Sequence, residues 1–251
     1  MITSDNKARI LSVVNIFETG TADGAYDDIS IFADGKNNTR QITYGRSQTT
    51  EQGNLKKLIE AYIANKGMFA KGLKPYIPKI GIKPLVDDNA FIALLKRAAK
   101  EDETMIKTQD QFFDKVYYQP ALKYFTDNGF TQPLSMLVIY DSFIHSGSIM
   151  PFLTQRFAEK LPKMGGDEKA WIKAYVTTRQ AWLLTKGEPL SKTVYRTKTF
   201  LKAMELEDWT LQLPLVANGV LSRSIGEKPT FTDLPFIVPI RGYNREGLTQ
   251  P

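Results

Sequence analysis

The stretch Asn6-Lys-Ala-Arg-Ile10-Leu11-Ser-Val13-Val14-Asn-Ile-Phe17-Glu18 decides the fold, because the sequence changes character immediately after it. Ile10, Leu11, Val13, Val14 and Phe17 recur at helical spacing, with Ser4 or Asp5 as the expected cap. Residues 19–50 then bring Gly20, Gly24, Gly35 and Gly45 among a crowd of Asp, Asn and Thr. Within them Asp34-Gly35 and Asn37-Asn38 are turn signals, and Gln41-Ile-Thr-Tyr44 has the composition of a strand. Helical patterns return at 51–65, 87–102, 103–126, 133–145, 150–160, 167–186 and 189–204. Between two of them, 67–86 carries Pro75, Pro78 and Pro84 and is expected to be an extended connection between lobes. After Pro214, short segments broken by proline are expected to wrap the surface. The expected fold class is α+β, mostly α-helical, with a small β-sheet near the N-terminus. The expected organisation is a single catalytic domain, with lobe 1 about 1–65, lobe 2 about 87–213 and a C-terminal wrap over 214–251.

Composition narrows the chemistry. The 251 residues contain no Cys and one His, His145, which excludes disulfides, thiolate metal sites, Cys nucleophiles and a His-rich metal centre. Catalysis falls to carboxylates, Lys, Tyr, Ser and Thr, and neither cofactor nor metal is expected. Thirty-three Lys and Arg against 27 Asp and Glu leave +6, a balance that favours anionic partners. No concentrated basic stripe or recognition motif supports a nucleic-acid partner. No apolar run reaches the ~18 residues of a membrane span, and the polar start lacks a secretory signal. The chain is therefore expected to be made in the cytoplasm and to meet an outside target by release or injection. Delivery machinery or an immunity protein are the partners that route implies.

Glu18 ends the first helix on the stripe Lys7, Leu11, Val14, Glu18, just before the loop region. A carboxyl held against apolar neighbours keeps its proton to higher pH, as a general acid near neutrality must. Asp34 follows 16 residues later at the mouth of a turn, and two carboxylates are the minimum apparatus of a glycosidase. The same residues also read simply as a helix-end charge and a turn former. Asp141, in line with Leu137 and Ile144, is expected to be buried. Arg179 lies on the stripe Ile172, Tyr175, Val176, Arg179, Leu183, and Arg196 lies one turn before Phe200. Buried charges persist only when paired, so an internal network of Asp141, Arg179, Arg196 and Glu18 is expected. His145 suits either a backbone contact at a helix end or a place in the substrate site. Tyr44, Tyr26 and Phe32 are candidates to line a sugar cleft.

These residues resemble a family. The run ending Ile-Phe-Glu18, then Ala33-Asp34-Gly35-Lys-Asn-Asn-Thr39 and Tyr44-Gly45, is similar to the catalytic segment of glycoside hydrolase family 46, the bacterial chitosanases. Ile139-Tyr-Asp141-Ser-Phe-Ile-His145, Ala174-Tyr-Val-Thr-Thr-Arg179 and Arg196-Thr-Lys-Thr-Phe200 follow in family order. The resemblance implies a lysozyme-like, two-lobed fold and inverting endo-hydrolysis of β-1,4-linked amino-sugar polymers. It implies Glu18 as general acid, Asp34 as general base, Thr39 as holder of the attacking water, and Asp141, Arg179 and Arg196 as the network behind the acid. Two departures stand out. Gly-Lys-Asn-Asn replaces a Gly-Arg-Gly-Tyr type turn, and Asn54 stands where chitosanases carry an aspartate for the glucosamine ammonium. Asn54 keeps hydrogen bonding and loses the charge.

The substrate expected is therefore a polysaccharide, with chitosan favoured by the family and peptidoglycan by the +6 charge and Asn54. A monomer is expected. The alternative is a non-catalytic carbohydrate-binding module that retains the fold.

Overall fold

The structure, a computed structural model, describes residues 1–46, 48–212 and 214–222. The chain divides into two compact units. One is built from Met1–Ala22, Asn128–Val138 and the chain from Met150 onward; the other from Asp23–Asp127 and Ile139–Ile149.

The first unit opens with α1 (Ser4–Thr19). Its cap is Thr3, one residue before the expected pair, because Asn6 then closes a reciprocal box. The Thr3 hydroxyl accepts the Asn6 amide at 3.1 Å, and the Asn6 side chain accepts the Thr3 amide at 3.2 Å. Gly20 stops the helix in the left-handed region at φ 73°, where its N–H bonds the Ile16 carbonyl. Four of the five expected apolar residues, Ile10, Val13, Val14 and Phe17, are core residues, and Leu11 is partly exposed. Phe17 meets Tyr195 and Phe200 edge to face, each at 5.7 Å.

Those partners lie on the last helix of the unit, so α1 groups with C-terminal helices rather than with the β-rich insert. The N-terminal segment of this unit ends at Ala22. Local sequence reveals the apolar face of α1 and not which distant helix covers it. Long helices of the same unit run over Glu168–Leu184 and Val194–Glu205, and they pack along each other. Asp167 caps the first of them by accepting the Ala170 amide at 2.7 Å. The helix expected over 150–160 is a single turn, Pro151–Thr154. Phe157 leaves the helical stripe to pack on Trp171 instead, with ring centres 5.5 Å apart. A hairpin of Val216–Ala217 and Val220–Leu221 follows, and the remainder of the expected wrap, 223–251, lies outside the described residues.

The second unit carries a three-stranded antiparallel sheet, β1 (Ile29–Phe32), β2 (Gln41–Tyr44) and β3 (Thr49–Thr50), in that order. All of β2 is buried. Ile42 and Tyr44 join a core with Leu55, Leu58, Leu95 and Phe113. Helices α2 (Leu55–Ala64), α3 (Ala70–Leu73), α4 (Asn89–Glu101), α5 (Glu103–Phe113) and α6 (Gln119–Asp127) complete it. Between α5 and α6, residues 114–118 form a π turn, inside a region that reads in sequence as one helix. The 67–86 segment is not an extended connection. It folds as α3 and successive turns within this one unit, because Phe69, Leu73, Ile80, Leu85 and Val86 have a core to enter. The central helix α7 (Pro133–Ser146) contributes its residues up to Val138 to the first unit and those from Ile139 to the second.

The two long C-terminal helices of the first unit are α8 (Glu168–Leu184) and α9 (Val194–Glu205). No helix among the described residues is long and apolar enough to cross a membrane.

Candidate active site

Glu18 occupies the last turn of α1 in the first unit, with its side chain 10% exposed. Arg196 of α9, 5% exposed, donates from a guanidinium nitrogen to Glu18 Oε1 at 2.5 Å. The same guanidinium lies 5.1 Å from the centre of the Phe17 ring and 5.8 Å from that of Tyr195. Tyr195 in turn donates from its hydroxyl to the Phe17 carbonyl at 3.0 Å. The charge therefore sits in a frame of rings on both of its own helices. Such a pair is costly to desolvate and costlier to break, so it fixes where the carboxylate stands.

Arg179 is fully buried on α8, within the same unit. Asp141 is fully buried on the part of α7 that belongs to the second unit. Burial of all three network residues agrees with the sequence reading.

Asp34 is exposed, in the turn that joins β1 to β2. The register pairs Phe32 with Gln41, so the turn spans 33–40. Lys36–Asn38 make one 3-10 turn, with Asn37 and Asn38 in the left-handed region at φ 59° and 57°. Asparagine tolerates that conformation better than most residues.

Side-chain amides organise the turn. Gln41 donates to Asp34 Oδ1 at 2.9 Å while its carbonyl oxygen accepts the Gln52 amide at 3.0 Å. Gln52 donates to the Thr39 hydroxyl at 2.9 Å and accepts the Lys36 amide at 2.6 Å. Thr39 also donates to the Lys36 carbonyl at 2.9 Å. Gly35 is required by closeness: a Cβ there would lie 2.7 Å from the Thr39 hydroxyl oxygen and 2.8 Å from Gln52 Nε2. Gln41 and Gln52 escaped the sequence reading, because nothing in their spacing distinguishes a bridging glutamine from a solvated one.

The remaining candidates fare differently. Asn54 immediately precedes α2 and donates from its carboxamide to the Tyr117 hydroxyl at 2.9 Å. Tyr117 rides on the π turn. His145, partly buried, stands 3.3 Å from the Ser146 hydroxyl through Nδ1. Tyr44 does not line a cleft. It is fully buried in the core, its hydroxyl donates to the Leu95 carbonyl at 2.8 Å, and burial pushes its phenol far up. Its place on the all-buried β2 explains the error: alternation there does not expose one face. Tyr26 is half-buried rather than free, donating to Asp110 at 2.9 Å, and burial with that carboxylate nearby pushes it up to about 12. No cluster of three or more metal-ligating side chains occurs among the described residues.

Comparison with known proteins gives this arrangement a context. Residues 12–215 match the sequence profile of Glycosyl hydrolase family 46. A chitosanase of Bacillus subtilis (strain 168) is 30% identical over 192 residues, covering 71% of this chain and 67% of that protein. The crystal structure of native chitosanase from Bacillus subtilis MY002 is 25% identical with a TM-score of 0.75, covering 85% of this chain and 94% of the other. A Glu-to-Ala mutant of that chitosanase, complexed with six GlcN, aligns at a TM-score of 0.77 and 24% identity, over 89% and 100% of the two chains. A Gynuella sunshinyii chitosanase with chitotetraose shares the fold at a TM-score of 0.74 and 19% identity, over 88% and 98%. Match and fold together make the chain a member of glycoside hydrolase family 46, and hence a glycoside hydrolase.

Proposed function

We propose that this chain is an inverting endo-hydrolase of β-1,4-linked amino-sugar polymers, with Glu18 as general acid and Asp34 as general base. The observation that carries the reading is the Arg196 clamp on Glu18, which holds one carboxylate of the implied pair in a single place. Membership of the family and the chitosanase names of its relatives support the substrate class.

In the proposed step the protonated form of Glu18, which a facing guanidinium disfavours, gives its proton to the glycosidic oxygen as the bond to the anomeric carbon breaks, so that the ion pair with Arg196 drives the transfer. The guanidinium beside it then faces the carboxylate so formed. Asp34 takes a proton from water, whose oxygen attacks the anomeric carbon from the opposite face. An inverting pair needs ~6.5–9.5 Å between carboxyls in the productive state to admit that water. Thr39 is assigned to the water. Its hydroxyl already has a donor and an acceptor partner in the turn, so it orients the water through a remaining lone pair. Thr43 on β2 has one hydroxyl proton, which the Ser30 carbonyl at 3.1 Å and the Gln48 side-chain oxygen at 2.9 Å share. Asp141 is read as the counter-charge of the buried arginines, a role that a double-mutant cycle of Asp141→Asn with Arg179→Met measures.

Chitosan is the first substrate to try. Peptidoglycan is the second, favoured by the uncharged Asn54 and the +6 balance; release or injection toward a cell wall belongs to that second reading. The test is hydrolysis of chitosan and of murein in parallel, with the anomer followed by NMR at early times. An α product from a β linkage supports inversion, and a β product overturns it. Wild-type rates from Glu18→Gln overturn the assignment of the acid.

A further inference from the structure

The bond from Gln41 to Asp34 runs in a direction that a third residue dictates. Gln41 opens the buried strand β2 and is itself 5% exposed. Its carboxamide has a donor end and an acceptor end, and the chain determines which of them faces Asp34. The Gln52 backbone amide can only donate, and it does so to Gln41 Oε1 at 3.0 Å. The NH2 end is therefore the one that meets Asp34 Oδ1, at 2.9 Å. A flipped carboxamide would set oxygen against carboxylate and leave the Gln52 N–H facing another donor.

The Gln52 amide is held still in its turn. Glu51, 3% exposed, bonds to β2 twice through Ile42. Its backbone N–H donates to the Ile42 carbonyl at 2.8 Å, and its Oε2 accepts the Ile42 amide at 3.2 Å. Its Oε1 accepts the Leu85 amide at 3.0 Å. A buried carboxylate satisfied by backbone donors fixes the chain from which Gln52 extends. Asp34, by contrast, is exposed, and an untethered carboxylate there would spread over its rotamers. Its Oδ2 has no hydrogen-bond partner among the described residues.

We infer, on the reading of Asp34 as base, that Gln41 is a positioning residue: it holds Oδ1 and leaves Oδ2 to take the proton of the attacking water. The water oxygen bonds to the anomeric carbon, the glycosidic oxygen leaves with the proton of Glu18, and the proton of water ends on Oδ2. Oδ1 accepts from Gln41 before and after, so the carboxyl need not turn during the step. Gln52 also reaches the Thr39 hydroxyl with its side chain at 2.9 Å. The proposed base and the proposed holder of the water thus depend on one residue through two different groups, its backbone amide and its carboxamide.

The test is kcat and KM on a soluble glucosamine hexamer across pH, with melting temperature as the check on folding. Gln41→Glu keeps the length and the acceptor for Gln52 but replaces the donor with a second carboxylate. The other charges of the turn, Lys36 and the Arg40–Asp87 pair, stay in place. Two carboxylates in contact do not ionise together, so the base should stay protonated to higher pH. The acid limb of the kcat profile should therefore move up by about one unit or more, while the alkaline limb, which belongs to Glu18, stays. Gln41→Met should lower kcat about ten-fold, the worth of one charge-assisted bond, with KM within about two-fold of wild type. Gln52→Ala keeps the backbone amide that orients Gln41, so it should lower kcat without moving the profile. Wild-type kcat and profile in both Gln41 variants overturn the inference, and so does a loss confined to KM or to melting temperature. If Gln41→Glu fails to fold, the split between kcat and KM in Gln41→Met decides. Asp34→Asn, assayed alongside, separates the two levels. An active Asp34→Asn sinks the proposed base, whereas an inactive one beside Gln41 variants of wild-type behaviour sinks the positioning role alone.

Discussion

The end of α1 and the turn after β1 each present a carboxylate, and the two are held by different physics. Glu18 is locked by an ion pair inside a frame of aromatic rings, on helices whose facing residues Phe17 and Phe200 are buried. Asp34 is exposed and held by a relay of glutamine amides across a tight turn. In the first region position is a by-product of core packing, so disturbing it disturbs the fold. In the second, position is set by hydrogen bonds that water competes for, so the turn can change chemistry at little cost to stability. A change of sequence is therefore cheaper in stability on the Asp34 side.

The contrast is sharpest in turnover. Glu18→Gln should lower hydrolysis by ~10²–10⁴, the usual worth of acid–base assistance, with Asp34→Asn close behind and Thr39→Ala well below both. Steady-state assays of the three variants on one glycan rank them. Stability should separate the regions next. Arg196→Met strands a buried carboxylate and should cost ~3–5 kcal/mol in urea unfolding. Gln52→Ala removes two bonds from an exposed turn and should cost only about 1 kcal/mol while still reducing turnover. Equal losses of stability from the two would break the comparison. Gly35→Ala belongs with the turn: the added carbon would lie 2.8 Å from the Thr39 carbonyl oxygen as well as against the Thr39 and Gln52 side chains, so the turn backbone must shift, and activity should drop together with the melting temperature.

A pH dependence in the second unit supplies a further test. Burial raises the Asp102 carboxyl, but bonds from the Tyr62 hydroxyl and from the Thr104 and Met68 amides outweigh it and hold it down to about 2. A depressed carboxyl contributes stability that is present above its unfolded value of ~3.9 and lost as pH falls through the folded one. The stability gap between wild type and Asp102→Asn should therefore be full near neutrality and narrow between about pH 4 and pH 2. A gap that is constant with pH would assign Asp102 a purely steric part.

What sequence could and could not reveal follows the same division. The stripe of α1, the strand Gln41–Tyr44, the turn signals at Asp34 and Asn37, and the burial of Asp141, Arg179 and Arg196 are encoded by nearby residues, and each is found in the structure. The resemblance carried by Glu18, Asp34 and the central helix motif also agrees with the family match. The failures are all questions of which surface meets which. Tyr44 was misplaced because a strand sequence does not say that both its faces are covered. The 67–86 prolines looked like spacing elements because their turns are stabilised by a core made elsewhere. The glutamine relay needs Gln41 and Gln52 brought together across β2 and β3, which no local pattern announces.

The partners Glu18 and Arg196 are separated by 178 positions in the chain. During synthesis at ~5–20 residues per second, the helix bearing Glu18 therefore emerges roughly 10–35 s before the arginine that will clamp it. The second unit, contiguous over Asp23–Asp127 except for one later piece, has most of its chain in hand during that wait. The first unit must keep the apolar face of α1 out of trouble until its C-terminal helices arrive. A nascent chain truncated before Val194 should thus expose Phe17 and bind chaperones, and release past the end of α9 should end that binding. Order of synthesis makes Glu18 the first residue of the proposed pair to appear and one of the last to be set in place.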